Sequence, residues 1–390
     1  MAGPRPSARR QGSGGSCWRA GHIRTKVSKR IYIRPVARLA ACAEGEQLPA
    51  ISVGGRSGLR FAAAELIERE GAHARRRLLG AAELCNGARA DGQALLLRVS
   101  QPRADVAGIE LDRPRLMGVV NVTPDSFSDG GRYKTKAAAI AHALQLESEG
   151  ADILDIGGES TRPGSGGVDV EEECRRVLPV ISALAKQSRA RISIDTRKAE
   201  VMRRAALEGA HIINDVSALT HDPQSRDTVA RLGLPAILVH AQGDPRTMQD
   251  NPSYGDVVLD VYDTMAARIA ACERAGIPRA RLIVDPGIGF GKNLMHNLAL
   301  LGALSIFHGL GCGLLLGASR KSFIGHLTGA DARARLPGSI AAALLGALQG
   351  VQLLRVHDVA ATRQALAVWA GAHDGTIATS PSPRTGSEPG

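Results

Sequence analysis

Eight places in this 390-residue sequence set polar or charged residues at the end of a short aliphatic run. Asn121 follows residues 116–120, Asp155 lies inside 153–156 just ahead of a Gly-Gly pair, and Asp195 follows 192–194. Asn214 and Asp215 follow 211–213, His240 follows 236–239, and Asp285 follows 282–284. Ser319, Arg320 and Lys321 come just after 313–316, and Arg355, His357 and Asp358 come after 351–354. A single Asp or Asn after a strand serves as well as a helix N-cap; eight polar ends together, several of them paired, exceed what capping needs. The set divides by charge. Asp195, Asn214 and Asp285 offer acceptors, with one amide that also donates, which suits a flat neutral heterocycle rich in N–H groups. Arg320, Lys321, Arg355 and His357 form a cationic group suited to phosphate oxygens.

Something must bring these residues together. The aliphatic runs alternate with segments of helical period, clearest at 137–149, 170–185, 199–207 and 256–275. Strand and helix in alternation give βαβ units and a parallel sheet. Eight such units over about 250 residues predict an α/β fold, a (β/α)8 TIM barrel, here with an N-terminal extension. An open doubly wound sheet would carry a Gly-x-Gly-x-x-Gly turn after its first strand, and none is present. In the barrel the active site lies at the carboxyl ends of the strands, and phosphate commonly sits after the last two. The long Gly/Ser/Thr-rich loops 123–133 and 157–168 would lie on that face and could close over a substrate.

The chain divides into a basic disordered tail (1–30), a small α+β extension (31–110), the barrel (111–372) and a second tail (373–390). In the extension, residues 31–34 and 94–99 read as strands and 61–70 as a helix. Formal net charge is +11, but residues 1–43 hold ten Lys/Arg and no Asp or Glu, so the excess belongs to the tail. That distribution argues against a nucleic-acid partner. The tail itself is open to three readings: a solvated run, a transit peptide, or an upstream start codon wrongly chosen. The six cysteines show neither C-x-x-C pairing nor zinc-finger spacing and read as small buried hydrophobes. Residues 294–319 lack Asp, Glu, Lys and Arg, yet their glycines, histidines and Asn297 read as helix, loop and buried strand, not a membrane span.

Two long motifs carry a resemblance. Met117-Gly-Val-Val-Asn-Val-Thr-Pro-Asp-Ser-Phe-Ser-Asp-Gly-Gly131 and Asp155-Ile-Gly-Gly-Glu-Ser-Thr-Arg-Pro-Gly164 resemble the signatures of the dihydropteroate synthases, a pterin-binding family. Ile194-Asp-Thr-Arg-Lys198, Ile213-Asn-Asp-Val216, Asp285-Pro-Gly-Ile-Gly-Phe-Gly-Lys292, Ser319-Arg-Lys-Ser322 and Arg355-Val-His-Asp358 follow in the family's order, over residues 115–370. The resemblance implies a transferase of folate biosynthesis. It would condense 6-hydroxymethyl-7,8-dihydropterin diphosphate with 4-aminobenzoate, giving 7,8-dihydropteroate and diphosphate. Asp195, Asn214, Asp285 and Lys321 would bind the dihydropterin. Arg355, His357 and Asn121 would hold the diphosphate, with Asn121 also near a Mg2+ ion. Thr161, Arg162, Ser319 and Arg320 would shape the 4-aminobenzoate site, where sulfonamides would compete. Asp195, Lys321, Arg355 and His357 are the implied catalytic group. The family implies a cytoplasmic homodimer with no membrane partner.

One departure stands out. Leu238-Val-His-Ala-Gln-Gly243 occupies a place where the family commonly reads Leu-Met-His-Met, so a reshaped floor of the pterin pocket is expected. Two other functions compete: a corrinoid-type pterin methyltransferase, which has no use for a diphosphate site, and a non-catalytic paralogue, which would lose the anion site first. Arg355, His357 and the intact loop motifs favour the synthase.

Overall fold

The computed structural model describes residues 1, 3, 29–39, 50–87, 90–122, 132–159, 167–243 and 247–374. Most of both tails, Thr161, Arg162, Cys17, Cys42 and nearly all of the loop 123–133 lie outside the described residues.

Eight parallel strands close into a barrel in the order β10-β11-β12-β5-β6-β7-β8-β9. They are β5 (Arg115–Asn121), β6 (Ile153–Gly157), β7 (Arg191–Asp195), β8 (Ile212–Asp215), β9 (Ala236–Val239), β10 (Leu282–Asp285), β11 (Gly313–Leu316) and β12 (Leu353–Val356). Between and after them run α3 (Arg132–Glu149), α4 (Val170–Gln187), α5 (Ala199–Leu207), α6 (Ser225–Leu232), α7 (Val257–Arg274), α8 (Leu294–Leu301), α9 (Ser322–Thr328), α10 (Leu336–Leu348) and α11 (Val359–Asp374).

Period-two alternation sends every second strand residue inward. Met117, Ile153, Ile212, Ile237, Ile283, Leu315 and Leu353 fill the barrel interior, closed at the amino end by Val106 and Leu111 of a short turn. The alternate residues, such as Leu154, Ile156, Ile192 and Leu354, face the helices and build the outer core. The same alternation places Asp155, two residues after Ile153, inside the barrel with no solvent exposure. Residues 294–319 form helix, 3-10 turn and buried strand, and among the described residues no helix is long and apolar enough to cross a membrane.

The extension is α+β, but two of its elements differ from the sequence reading. Residues 61–70 lie within a strand, β3 (Arg56–Glu70), and residues 94–99 lie within a helix, α2 (Ala90–Ser100). β3 is the hub of an antiparallel sheet, paired with β1 (Arg30–Leu39), β2 (Ile51–Val53) and β4 (His73–Gly80). Register shifts around Ala37 bring Phe61 and Ala64 to one face of the sheet, while Ile67 packs on the other, so three residues are buried at a spacing of three, which mimics a helix. In α2 the run Ala94–Val99 buries only Leu95 and Val99, an i,i+4 pair facing the sheet. After β4, α1 (Ala81–Gly87) carries Cys85, which is exposed, against the expectation for the cysteines; Cys174, Cys272 and Cys312 are buried.

The sheet's other face docks on α7. Tyr32 donates to Asp263 at 2.9 Å and meets Tyr262 edge-on at 5.1 Å. Arg69 pairs with Asp260 at 2.7 Å and Arg76 with Asp256 at 2.6 Å. The barrel, its closing turn and the extension are therefore one packed body.

Candidate active site

Most of the described candidate residues gather at the carboxyl mouth of the barrel, around Arg355. Its Nε donates to Asp155 Oδ2 and a terminal nitrogen to Asp195 Oδ2, both at 2.7 Å. Asn214 Nδ2 donates to the same Asp155 oxygen at 3.1 Å. β6, β7 and β12 are thus tied together through one guanidinium, and β8 joins them through Asp155. Burial works against that charge, but Asp155 and Asp195 hold it protonated. For Asp195 burial dominates: it pushes the carboxyl up to about 7, with Arg355 pulling the other way and Asp155 adding to the rise. Asn214 Oδ1 and Asp155 Oδ1 are buried acceptors that receive no hydrogen bond. Each such atom costs on the order of 1–3 kcal/mol unless a ligand supplies a donor.

Opposite them, Asp285 ends β10 with Oδ1 accepting from Gly287 N at 2.7 Å, and burial raises its carboxyl. Lys321 donates to Ile288 O at 2.6 Å and lies 3.9 Å from the centre of the Phe290 ring. Burial pulls its ammonium down to about 8, with Asp285 opposing. Acceptors from three strands, a cation and an aromatic face thus line one side of the mouth.

The other side carries His357, Ser319 and Asn121. His357 Nδ1 and its backbone N–H both meet Ser319 Oγ, at 3.0 and 3.3 Å. The hydroxyl has one proton and two lone pairs, so it can accept from the backbone and also donate to Nδ1, the arrangement in which the ring proton sits on Nε2. Burial lowers the imidazole to about 4, with Arg355 adding to the fall, so the ring is neutral near pH 7. Asn121 ends β5 half-buried; its Oδ1 and Asp195 Oδ2 lie 3.7 and 3.8 Å from the point where a Cβ on Gly157 would sit. That space is open because position 157 is glycine.

Not every expected residue points inward. Arg320, at φ 56°, turns its guanidinium to Asp358, with Nε 2.9 Å from Oδ2. Asp215 behaves as a local cap, accepting from Ser217 N at 2.7 Å and Leu219 N at 3.1 Å. Val239 and Ala241 line a cavity of about 210 Å3 with Val216, Met265 and Phe290.

The sequence reading placed Asp155 among the polar strand ends but gave it no role in the site. A carboxylate inside a fully buried strand was the available signal. It also missed the loop anchor Glu159, which binds Lys198 and sits 2.7 Å from Arg197, while Lys198 reaches on to buried Glu173. These contacts pin the start of loop 157–168 to the end of β7. Among the described residues no group of three or more His, Cys, Asp or Glu is placed to hold a metal.

The chain matches the family model described as pterin binding enzyme over residues 117–357. It is 53% identical over 268 residues to the dihydropteroate synthase of Neisseria meningitidis serogroup B, spanning 67% of this chain and 93% of that one. A structure of Xanthomonas albilineans dihydropteroate synthase with 4-aminobenzoic acid superposes with TM-score 0.66 at 54% identity, covering 70% of this chain and 98% of that chain. A Yersinia pestis dihydropteroate synthase in complex with a sulfonamide drug gives TM-score 0.66 at 44% identity, over 70% and 99% of the two chains. The extension built on β1–β4 precedes the matched residues 117–357. With this fold, this mouth and these relatives, the chain belongs to the pterin-binding enzyme family and, within it, to the dihydropteroate synthases.

Proposed function

We propose that the two sides of the mouth divide the substrate between them: dihydropterin ring toward Asp195, Asn214, Asp285 and Lys321, diphosphate toward His357, Arg355 and Asn121. The pair of buried acceptors without donors, Asn214 Oδ1 and Asp155 Oδ1, carries this reading. A dihydropterin brings ring N–H and amino donors to such acceptors, and its flat ring fits against Phe290. His357 Nε2–H and the guanidinium nitrogen of Arg355 not engaged with Asp155 or Asp195 are the donors left for phosphate oxygens.

The reaction needs no protein nucleophile. The amine of 4-aminobenzoate attacks the methylene carbon, the C–N bond forms, and the C–O bond to diphosphate breaks. The electron pair leaves with the diphosphate oxygen, and the ammonium formed loses its proton to water. Positive charge grows on the pterin side and negative charge on the leaving group. Asp195 and Asp285 stabilise the first, His357 and Arg355 the second. Asp195, kept near neutrality by burial, can also trade a proton with the ring as the charge changes.

The donor set fits Mg2+. Such an ion keeps several waters and takes substrate phosphate oxygens, so one hard neutral oxygen from the protein is enough. Asn121 Oδ1 would hold it; when bound, the ion adds positive charge against the diphosphate. Thr161, Arg162, Ser319 and Arg320 complete our reading as the 4-aminobenzoate side, where sulfonamides compete. A cytoplasmic homodimer belongs to the same proposal. A methyltransferase would have no need of the Ser319–His357 donor pair.

The test is direct. Purified protein, 4-aminobenzoate, the dihydropterin diphosphate and Mg2+ should yield dihydropteroate by mass, and Asp195→Ala or Arg355→Ala should abolish it. Undiminished product from the His357→Ala, Arg355→Ala double variant would refute the assignment.

A further inference from the structure

Between the exits of β9 and β10 lies a buried amine that the reaction above does not use, its ammonium pulled down to about 7 by burial, with Asp285 opposing. Lys292 is 3% exposed, and its Nζ lies 2.9 Å from both His240 Nδ1 and Phe290 O and 3.4 Å from His240 O. An ammonium has three N–H groups, and here it has three acceptors. No carboxylate forms an ion pair with it among the described residues. Burial lowers His240 to about 3, so its ring is neutral and Nδ1 can accept.

What these bonds hold is a segment of unusual closeness. A Cβ on Gly287, at φ 71°, would fall 1.8 Å from His240 O, and one on Gly291, at φ 64°, would fall 2.4 Å from Gln242 O. Only glycine lets the chain from 287 to 291 lie directly on the exit of β9. The Lys292 carbonyl is itself held by Asn297 Nδ2 at 3.2 Å, and Asn297 Oδ1 takes Gly289 N at 2.7 Å. From this segment hang three contacts of the pterin side: Gly287 N to Asp285, Ile288 O to Lys321, and the Phe290 ring beneath Lys321.

We propose that Lys292, with His240, is a positioning residue that staples segment 286–291 to the end of β9 and so sets Asp285, Lys321 and Phe290 for the dihydropterin. The inference rests on the proposed assignment of that side of the mouth to the pterin. It gives the Gly-Lys end of the 285–292 motif a role: the amine acts on the backbone, not on substrate.

Steady-state kinetics on the full chain tests it, with Lys292→Met, which keeps length but has no donors, and with His240→Phe and His240→Asn. The Asn oxygen can stand near Nδ1; the Phe ring offers no acceptor. Displacing positioned groups costs roughly ten- to a hundredfold. Lys292→Met and His240→Phe should raise KM for the dihydropterin diphosphate by about that factor. KM for 4-aminobenzoate should stay within about threefold, and His240→Asn should recover most of the loss. The inference is overturned if Lys292→Met lowers only the active fraction with an unchanged pterin KM, or if both KM values rise together. Should Lys292→Met not fold, the His240 pair decides, and equal pterin KM values for His240→Phe and His240→Asn overturn it. Failure of the unaltered chain to turn over would instead defeat the pterin assignment itself.

Discussion

Replacing Arg355 by methionine removes the one cation that Asp155 and Asp195 share. The guanidinium meets each carboxylate at 2.7 Å, and Asp155 has no solvent exposure. Breaking one side of such a buried pair costs about 3–5 kcal/mol, because the stranded charge has no water to turn to. The sign of the pH dependence follows from Asp195. Its folded value, near 7, stands above the ordinary 3.8, so its carboxyl binds a proton on folding. The stability it contributes is fully present below the unfolded value and is lost as pH rises toward the folded one. Without Arg355 the folded value climbs further. That climb adds up to about 1.4 kcal/mol in total to the deficit at pH 8 relative to pH 5.5, a ceiling set by the one unit between the folded value near 7 and pH 8. Urea unfolding of both proteins at the two pH values reads this directly. A deficit that is the same at both, or below about 1 kcal/mol at pH 8, refutes the claim that Arg355 neutralises these carboxylates.

Other predictions test the surrounding contacts. His357→Ala should lower kcat/KM by about ten- to a hundredfold by removing a neutral donor to the leaving group, while His357→Gln, whose amide reaches the Nε2 position, should restore part of it; equal rates for the two variants would count against the Nε2–H donor. Burial alone would raise the Glu159 carboxyl, but hydrogen bonds from Lys198 and Arg197 hold it low. Its stabilisation is therefore present above the unfolded value and lost as pH falls through the folded one, and Lys198→Met should flatten that acid limb in chemical unfolding between pH 3 and 5. Gly287→Ala should abolish soluble folded protein, since no neighbour can yield 1.8 Å of backbone contact; a well-folded variant by circular dichroism would show that the segment is not held as described.

The barrel was legible because each strand is an aliphatic run that stops at a polar residue, a pattern set by burial on both faces and a solvated mouth. Runs 236–239 and 313–316 match β9 and β11 at both ends, while other strand ends shift by one or two residues, as at β12, which begins at Leu353 and carries Arg355 inside it. The extension was read less well. Phe61–Glu70 is rich in alanine and glutamate, which favour helix, yet pairing on both edges of β3 overrides propensity there. Asp195, Asn214, Asp285 and Lys321 were legible one by one, but their partners were not. Asp155 meets Arg355 across 200 residues, Ser319 meets His357 across 38, and His240 meets Lys292 across 52. Such contacts are set by closure of the barrel, which no local pattern encodes.

Calorimetric titration with the two halves of the substrate, kept separate, tests the division of the mouth most directly. Asp285→Asn should weaken binding of 6-hydroxymethyl-7,8-dihydropterin while leaving diphosphate binding intact, and His357→Ala should do the reverse. Loss of both ligands together in either variant, or of neither, would contradict a site built from a heterocycle side and an anion side.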